Sequence, residues 1–279
     1  MFDSASGYRY NTTIYHSGTF EGAIAHYDQL LSAQPDLYEI WTYRGYALER
    51  LGQLREAIAN FEQALKVQPE HALAWHGKGI ALAKLADYDM ALDCFNRTVK
   101  LTPRDGKAWY NRGNALMHLH RFEDALTNFN RVIELDSLDY KAWYQRGKVL
   151  ANLGYLYAAL ASLDRALDIK PDCFYAWSYR GTVLNKLACY DDAIASFDQS
   201  LQVKPNNPDA WYNKARCYAL QGDAEQALKF LYQAIKLNPT LYTSLAKVDT
   251  HFSQLNLKQK LSALMKTRQP VKQVAPIHP

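Results

Sequence analysis

Residues 108–116 read AWYNRGNAL: two aromatics, two asparagines, an arginine and a glycine in nine positions, the mixture of rings, amides and positive charge that suits contact with a polypeptide. A second pattern is periodic. Three residues after each of Trp41, Trp75, Trp109, Trp143, Trp177 and Trp211 stands a base: Arg44, Lys78, Arg112, Arg146, Arg180 and Lys214. Sixteen residues before each base stands a side chain that can accept a hydrogen bond: Asp28, Glu62, Asn96, Asn130, Asp164 and Asp198. The chemistry open to these twelve is charge pairing or anion binding. Reactive side chains elsewhere make no set. His118 and His120 lie two apart on a helix and point to different faces, and Cys94, Cys173, Cys189 and Cys217 match no metal or redox spacing. No nucleophile has a recognisable setting and no glycine cluster could cradle a phosphate. Catalysis, metal binding and a cofactor are therefore not expected.

The six tryptophans fall at one interval, 34 residues, and other residues keep the phase. Positions are numbered here from each Trp. At +4 come Gly45, Gly79, Gly113, Gly147, Gly181 and Ala215; at +16, Ala57, Ala91, Ala125, Ala159, Ala193 and Ala227. At +20 come Phe61, Phe95, Phe129, Leu163, Phe197 and Leu231, and at +28, Pro69, Pro103, Ser137, Pro171, Pro205 and Pro239. Apolar residues at 0, +4, +7 and +10 trace one helix face, and those at +16, +17, +20, +23 and +24 a second. Turn signals such as LGQL, LHRF and QGDA separate the two, and the proline closes each unit. Small residues at +4 and +16 let the paired helices approach closely, with the Trp and the +20 ring filling the space around the contact.

This pattern resembles the tetratricopeptide repeat, which implies an all-α fold: a right-handed α-solenoid of stacked antiparallel helix pairs. Six repeats are expected, at 38–71, 72–105, 106–139, 140–173, 174–207 and 208–241. Gly18, Phe20, Ala23, Tyr27 and Pro35 keep the phase of a degenerate repeat over 1–37. A repeat cannot bury its apolar face alone, so the array needs neighbours and polar caps. Residues 242–268 supply capping helices, one stripe running Leu241, Leu245, Val248, Phe252, Leu255 and the next Leu257, Leu261, Leu264, Met265. The proline-rich stretch 269–279 reads as disordered.

The base at +3 falls inside the apolar arc of the first helix, so it must be paired or snorkel. The expectation is a ladder between repeats, Asp28 with Arg44 through Asp198 with Lys214. Offsets −2, +1, +5, +8 and +9 lie opposite that arc, and stacking aligns them into one surface. The resemblance implies that this surface is a concave groove that holds extended peptides. Its expected contact residues are Lys107, Tyr110, Asn114, His118, Lys141, Tyr144, Lys148, Tyr212 and Arg216. Family members that clamp a C-terminal carboxylate carry Lys at +1, and no +1 residue here is Lys. Where other units place an acid at the start of the second helix, the fourth has Tyr155 and Tyr157, a second contact patch for a partner or another copy.

The net charge of +4 is concentrated late in the chain: Lys247, Lys258, Lys260, Lys266, Arg268 and Lys272 oppose Asp249 alone. The body is close to neutral, so the basic segment reads as a lysine-faced cap rather than a nucleic-acid or anionic-membrane surface. No secretory signal or membrane span is apparent, which implies a cytoplasmic location. The expected function is a non-catalytic scaffold or adaptor that binds a protein segment, acidic by the lysines at −2, with nucleic-acid or membrane binding through the basic segment as the alternative. The partner's identity is not written in these residues.

Overall fold

The computed structural model describes residues 19–252, and Gly18, the second capping stripe and the proline-rich tail lie outside them. The chain divides into two compact units, up to Leu153 and from Gly154 on. The described part of the first holds α1 (Phe20–Ala33), α2 (Tyr38–Arg50), α3 (Leu54–Val67), α4 (Ala72–Lys84), α5 (Tyr88–Leu101), α6 (Gly106–His118), α7 (Phe122–Leu135) and α8 (Tyr140–Asn152). The second holds α9 (Leu156–Ile169), α10 (Phe174–Lys186), α11 (Tyr190–Val203), α12 (Pro208–Leu220), α13 (Ala224–Leu237) and α14 (Pro239–Val248), then a short 3-10 turn, Thr250–Phe252. The described residues contain no strand, and adjacent helices pack as antiparallel pairs.

Each repeat turns the chain with the same device. The residue at +11 adopts a left-handed backbone, with φ of 78° at Gly52, 63° at Ala86, 57° at His120, 85° at Gly154, 59° at Ala188 and 81° at Gly222. That conformation ends the first helix and starts the second two residues later. Side-chain oxygens cap several helix starts: Asp105 accepts from Lys107 N, Asp139 from Lys141 N and Ala142 N, and Asp223 from Gln226 N.

The contact between paired helices is set by +4 against +20. A Cβ built on Gly45 would lie 2.7 Å from Phe61 Cε1, and one on Gly79 would lie 2.7 Å from Phe95 Cε1. These rings, with Phe129, Phe197 and Leu231, are at most 1% exposed. The one +4 alanine, Ala215, belongs to the repeat whose +20 residue is Leu231, so the two departures from the pattern compensate each other.

The tryptophans do a different job from the +20 rings. They are half-exposed, and each indole N–H donates 2.8–3.0 Å to the carbonyl six residues earlier, at Pro35, Pro69, Pro103, Ser137, Pro171 and Pro205. The Trp thus pins the loop between repeats while its ring packs on the edge of the core, as at Trp41, Trp75 and Trp211. Since the acceptor is a backbone carbonyl, Ser137 serves as well as a proline.

Helix α14 corrects the stripe expected through Phe252. It ends at Val248, Asp249 is extended (φ −74°, ψ 112°), and Phe252 reaches its buried site through the 3-10 turn. The residue at +4 is here Asp249, and its side chain turns away to cap the turn, accepting from His251 N at 3.1 Å.

Candidate functional site

The bases at +3 sit between two second helices. Arg44 Nε donates to Asp28 Oδ1 at 2.7 Å, Arg112 Nε to Asn96 Oδ1 at 2.7 Å, Arg146 Nε to Asn130 Oδ1 at 2.8 Å and Arg180 Nε to Asp164 Oδ1 at 2.6 Å. Lys78 pairs with Glu62 at 2.8 Å, and Lys214 pairs with Asp198. Three arginines use the other side of the guanidinium as well: Nη1 of Arg44 donates to Asn60 at 3.0 Å, of Arg112 to Asn128 at 3.3 Å and of Arg180 to Ser196 at 2.7 Å. Where the base is lysine, the residue in that second place is not a good acceptor: Cys94 for Lys78, and Phe230 for Lys214, whose ammonium lies 4.1 Å from the ring centroid. A planar fork can satisfy two acceptors, and a point charge takes one; the residue sixteen positions on differs accordingly. Four of the bases also lie 5.6–5.9 Å from the Trp ring three residues earlier: Lys78, Arg112, Arg146 and Arg180. Burial pushes the Arg112 and Arg146 guanidinium pKa values down. The ladder therefore engages its bases within the fold.

The opposite face of the first unit encloses a groove of ≈ 920 Å³. Lys107, Tyr110 and Lys141, expected there from sequence, line it together with His76, Arg104 and Asn111. Its acids are committed to backbone: Asp105 and Asp139 cap α6 and α8, and Asp136 accepts from Leu138 N at 2.9 Å. Of its bases, Arg50 lies 3.8 Å from Glu49, and the other three are not committed. Among the described residues Arg104, Lys107 and Lys141 have no ion-pair partner; Lys141 lies 6.0 Å from the Tyr140 ring centroid.

Among the amides near the groove, Asn111 lines it, whereas Asn114 and Gln145 are not part of its lining. Asn111 Nδ2 lies 2.9 Å from His76 Nε2, and Gln145 Nε2 donates to Asn114 Oδ1 at 2.8 Å. Tyr110 hydrogen-bonds with Gln145 and Asn114, while burial pushes its phenol up. The Oε1 of Gln145 is buried and has no partner among the described residues. Burial pushes the His76 imidazole down, more than the nearby Asp105 raises it, so Nε2 accepts the Asn111 amide proton in the neutral form.

The remaining expected groove residues are placed less openly. His118 is stacked flat on Tyr88, centroids 4.2 Å apart and planes 2° apart. Lys148 is half-buried over the Tyr144 ring at 5.5 Å, and burial pushes its ammonium down. In the second unit Tyr212 is only 8% exposed: its hydroxyl donates to Asp249 Oδ2 at 2.8 Å, and Arg216 Nε lies 3.1 Å from the same oxygen. Burial raises the Asp249 carboxyl, but Tyr212, His251 and Arg216 outweigh it and hold it below the usual range. The segment after α14 thus covers Tyr212 and Arg216, and the +1 row as a whole is not open as expected, since Thr42 and His76 are buried too. The cause is the next first helix, which packs over that row within each unit. Sequence reasoning missed the +2 row, Asn111 and Gln145, because it lies at the edge of the arc; two amides on successive repeats were the available signal.

Tyr155 and Tyr157 are 61% and 78% exposed. Of the basic segment only Lys247 is described, and it is exposed. Cys94 and Cys217 are buried thiols, pushed up by that burial to about 11 and about 12, and no group of three or more potential metal ligands occurs among the described residues. No helix of the described residues is long and apolar enough to cross a membrane.

A stack of paired helices with a 34-residue phase, glycine under an aromatic ring and a half-exposed Trp defines a helical-repeat protein. Family models described as tetratricopeptide repeat match residues 44–106, 106–137 and 190–247, and the chain belongs to that family. A model described as protein prenyltransferase alpha subunit repeat matches 20–51, 122–153 and 156–187, each a second helix with the first helix that follows it. Among solved structures, YrrB, described as a TPR protein with an unusual peptide-binding site, is 24% identical with a TM-score of 0.54, over 67% of this chain and 97% of that one. A tetratricopeptide repeat protein of Parabacteroides merdae is 17% identical with a TM-score of 0.66, over 85% and 97%. PilF of Pseudomonas aeruginosa is 16% identical with a TM-score of 0.64, over 76% and 97%. These likenesses concern the fold. No curated protein matches the chain at a significant level.

Proposed function

We propose that the chain is a non-catalytic adaptor whose first unit holds an extended polypeptide carrying acidic side chains. The observation that supports this reading most is the charge division in the groove: Asp105, Asp136 and Asp139 are spent on backbone N–H groups, while Arg104, Lys107 and Lys141 have no carboxylate partner among the described residues. An acidic segment would complete those bases, and its backbone would find Tyr110 and Asn111 in the groove lining. Lys148 with Tyr144 extends the same face. The described peptide-binding site of YrrB is a property of that protein, and supports the reading by analogy alone. The exposed pair Tyr155 and Tyr157 offers a second contact surface to a partner or another copy.

Selection of short random peptides on the purified chain tests this. Binders should be enriched in Asp and Glu, weaken as salt is raised, and lose affinity in a Lys107→Gln/Lys141→Gln variant. Binders without acid enrichment would refute the acidic ligand, and binders indifferent to Tyr110→Ala/Asn111→Ala would refute the groove.

A further inference from the structure

Leu73, Lys107 and Lys141 hold the −2 place in successive repeats of the first unit, and all three line its groove. Each is the second residue of its helix, α4, α6 and α8. Hydrogen bonds tie these helices side by side: Asn111 to His76 at 2.9 Å joins α6 to α4, and Gln145 to Asn114 at 2.8 Å joins α8 to α6. Packed helices have axes about 8–10 Å apart, so the row offers an apolar contact, a base and a second base at steps of about 9 Å. Lys107 and Lys141 are exposed, and Leu73 is half-buried.

A ligand that uses the whole row must repeat one face at that step. A β-strand repeats its face every second residue, about 6.7 Å, and is out of step after one repeat. An α-helix returns to its face after seven residues, about 10.5 Å, but its backbone groups are bonded to one another. The groove calls for open ones, since Asn111 uses only one of its two amide hydrogens, on His76. Polyproline II has three residues per turn and rises about 3.1 Å per residue, so it presents the same face about every 9.3 Å with its backbone unbonded. Tyr46 and Tyr110, half-buried in the lining, supply the rings against which such a segment packs.

We infer that the groove's ligand is a polyproline II segment with an apolar residue and two acids at three-residue intervals, seated on Leu73, Lys107 and Lys141 in that order; this rests on the acidic-ligand reading above. The acid at each step meets one lysine. The two residues between are free to be proline.

Fluorescence anisotropy with labelled peptides and the full chain tests the register. The peptide Leu-Pro-Pro-Glu-Pro-Pro-Glu is compared with Leu-Pro-Pro-Pro-Pro-Glu-Glu, of the same composition, and with Leu-Gly-Gly-Glu-Gly-Gly-Glu, each in both chain directions. The first should bind about tenfold tighter than the other two. Its margin over the adjacent acids should vanish in Lys141→Gln, a variant checked by circular dichroism for the helical content of the parent. A glycine peptide that binds equally well overturns the polyproline II conformation. Adjacent acids that bind equally well, or a margin that survives Lys141→Gln, overturn the register. Each of these results leaves the acidic-ligand reading standing, whereas binding by none of the peptides overturns that reading and the inference together.

Discussion

Substituting Gly79 by alanine isolates the contact that sets the spacing of each helix pair. Alanine favours the helix by about 1 kcal/mol over glycine, so on propensity alone the change should stabilise. The new Cβ, however, would lie 2.7, 2.9 and 3.0 Å from three atoms of the Phe95 ring, which is itself 1% exposed and has nowhere to turn. Overpacking of this kind costs about 1–3 kcal/mol, so the sum is a loss of roughly 0–2 kcal/mol. Phe95→Leu alone should cost about 1–2 kcal/mol for the lost ring. In the double variant the clash goes and the propensity gain returns, reproducing the Ala215/Leu231 pair of the sixth repeat. It should therefore be no less stable than Phe95→Leu alone, a coupling of about 1–3 kcal/mol. Thermal unfolding followed by circular dichroism reads this at roughly 2–4 °C per kcal/mol for a chain of this size. A rise in Tm for Gly79→Ala alone, or strictly additive effects in the double variant, would refute the packing argument.

The ladder predicts a rung conversion. Lys78→Arg alone should give little, because Cys94 offers no acceptor, whereas Lys78→Arg/Cys94→Asn should gain about 1 kcal/mol in urea unfolding. Breaking a rung should cost more: Arg180→Met leaves Asp164 and Ser196 without their donor, a loss of about 1–3 kcal/mol seen in the same assay. At the turns, His120→Gly and Ala188→Gly relieve left-handed backbone at φ 57° and 59° and should each raise stability by about 1 kcal/mol, an outcome a loss of Tm would contradict. His76 gives a pH signature. Its imidazole is held low in the fold, so the unfolded chain takes up the proton first, and stability falls as pH drops below about 6.5. His76→Gln should lose less stability than the parent between neutral pH and the folded-state pKa, and nuclear magnetic resonance titration of His76 should place its midpoint below that of a free histidine.

The pair architecture was legible because each of its requirements falls on one residue type at one spacing: glycine where a ring touches the backbone, an acceptor sixteen residues before a base. Each is a local rule repeated, and repetition separates it from chance. The groove was only partly legible, for a reason that Tyr212 makes plain. Helical angle places a residue on a face, but what lies over that face depends on the next element, and there it is Asp249, in a stretch where the helix breaks off. Tyr110 and Tyr144 share the +1 offset with Tyr212 and yet are half-buried rather than buried. The same dependence hid the amide pairs. Asn111 looks marginal on its own helix and becomes part of the floor only when His76 of the preceding repeat is brought 2.9 Å away. A tally of charge in the first unit's groove misses its division: Asp105, Asp136 and Asp139 accept from backbone N–H groups, while Arg104, Lys107 and Lys141 have no ion-pair partner among the described residues. A count of charges cannot register that commitment, whereas a cap position, one or two residues before the first helical turn, can. The N-cap aspartates at −4, Asp105 and Asp139, and the lysines two residues later were visible in the sequence all along; their division into spent and unspent charge follows from where the helix begins.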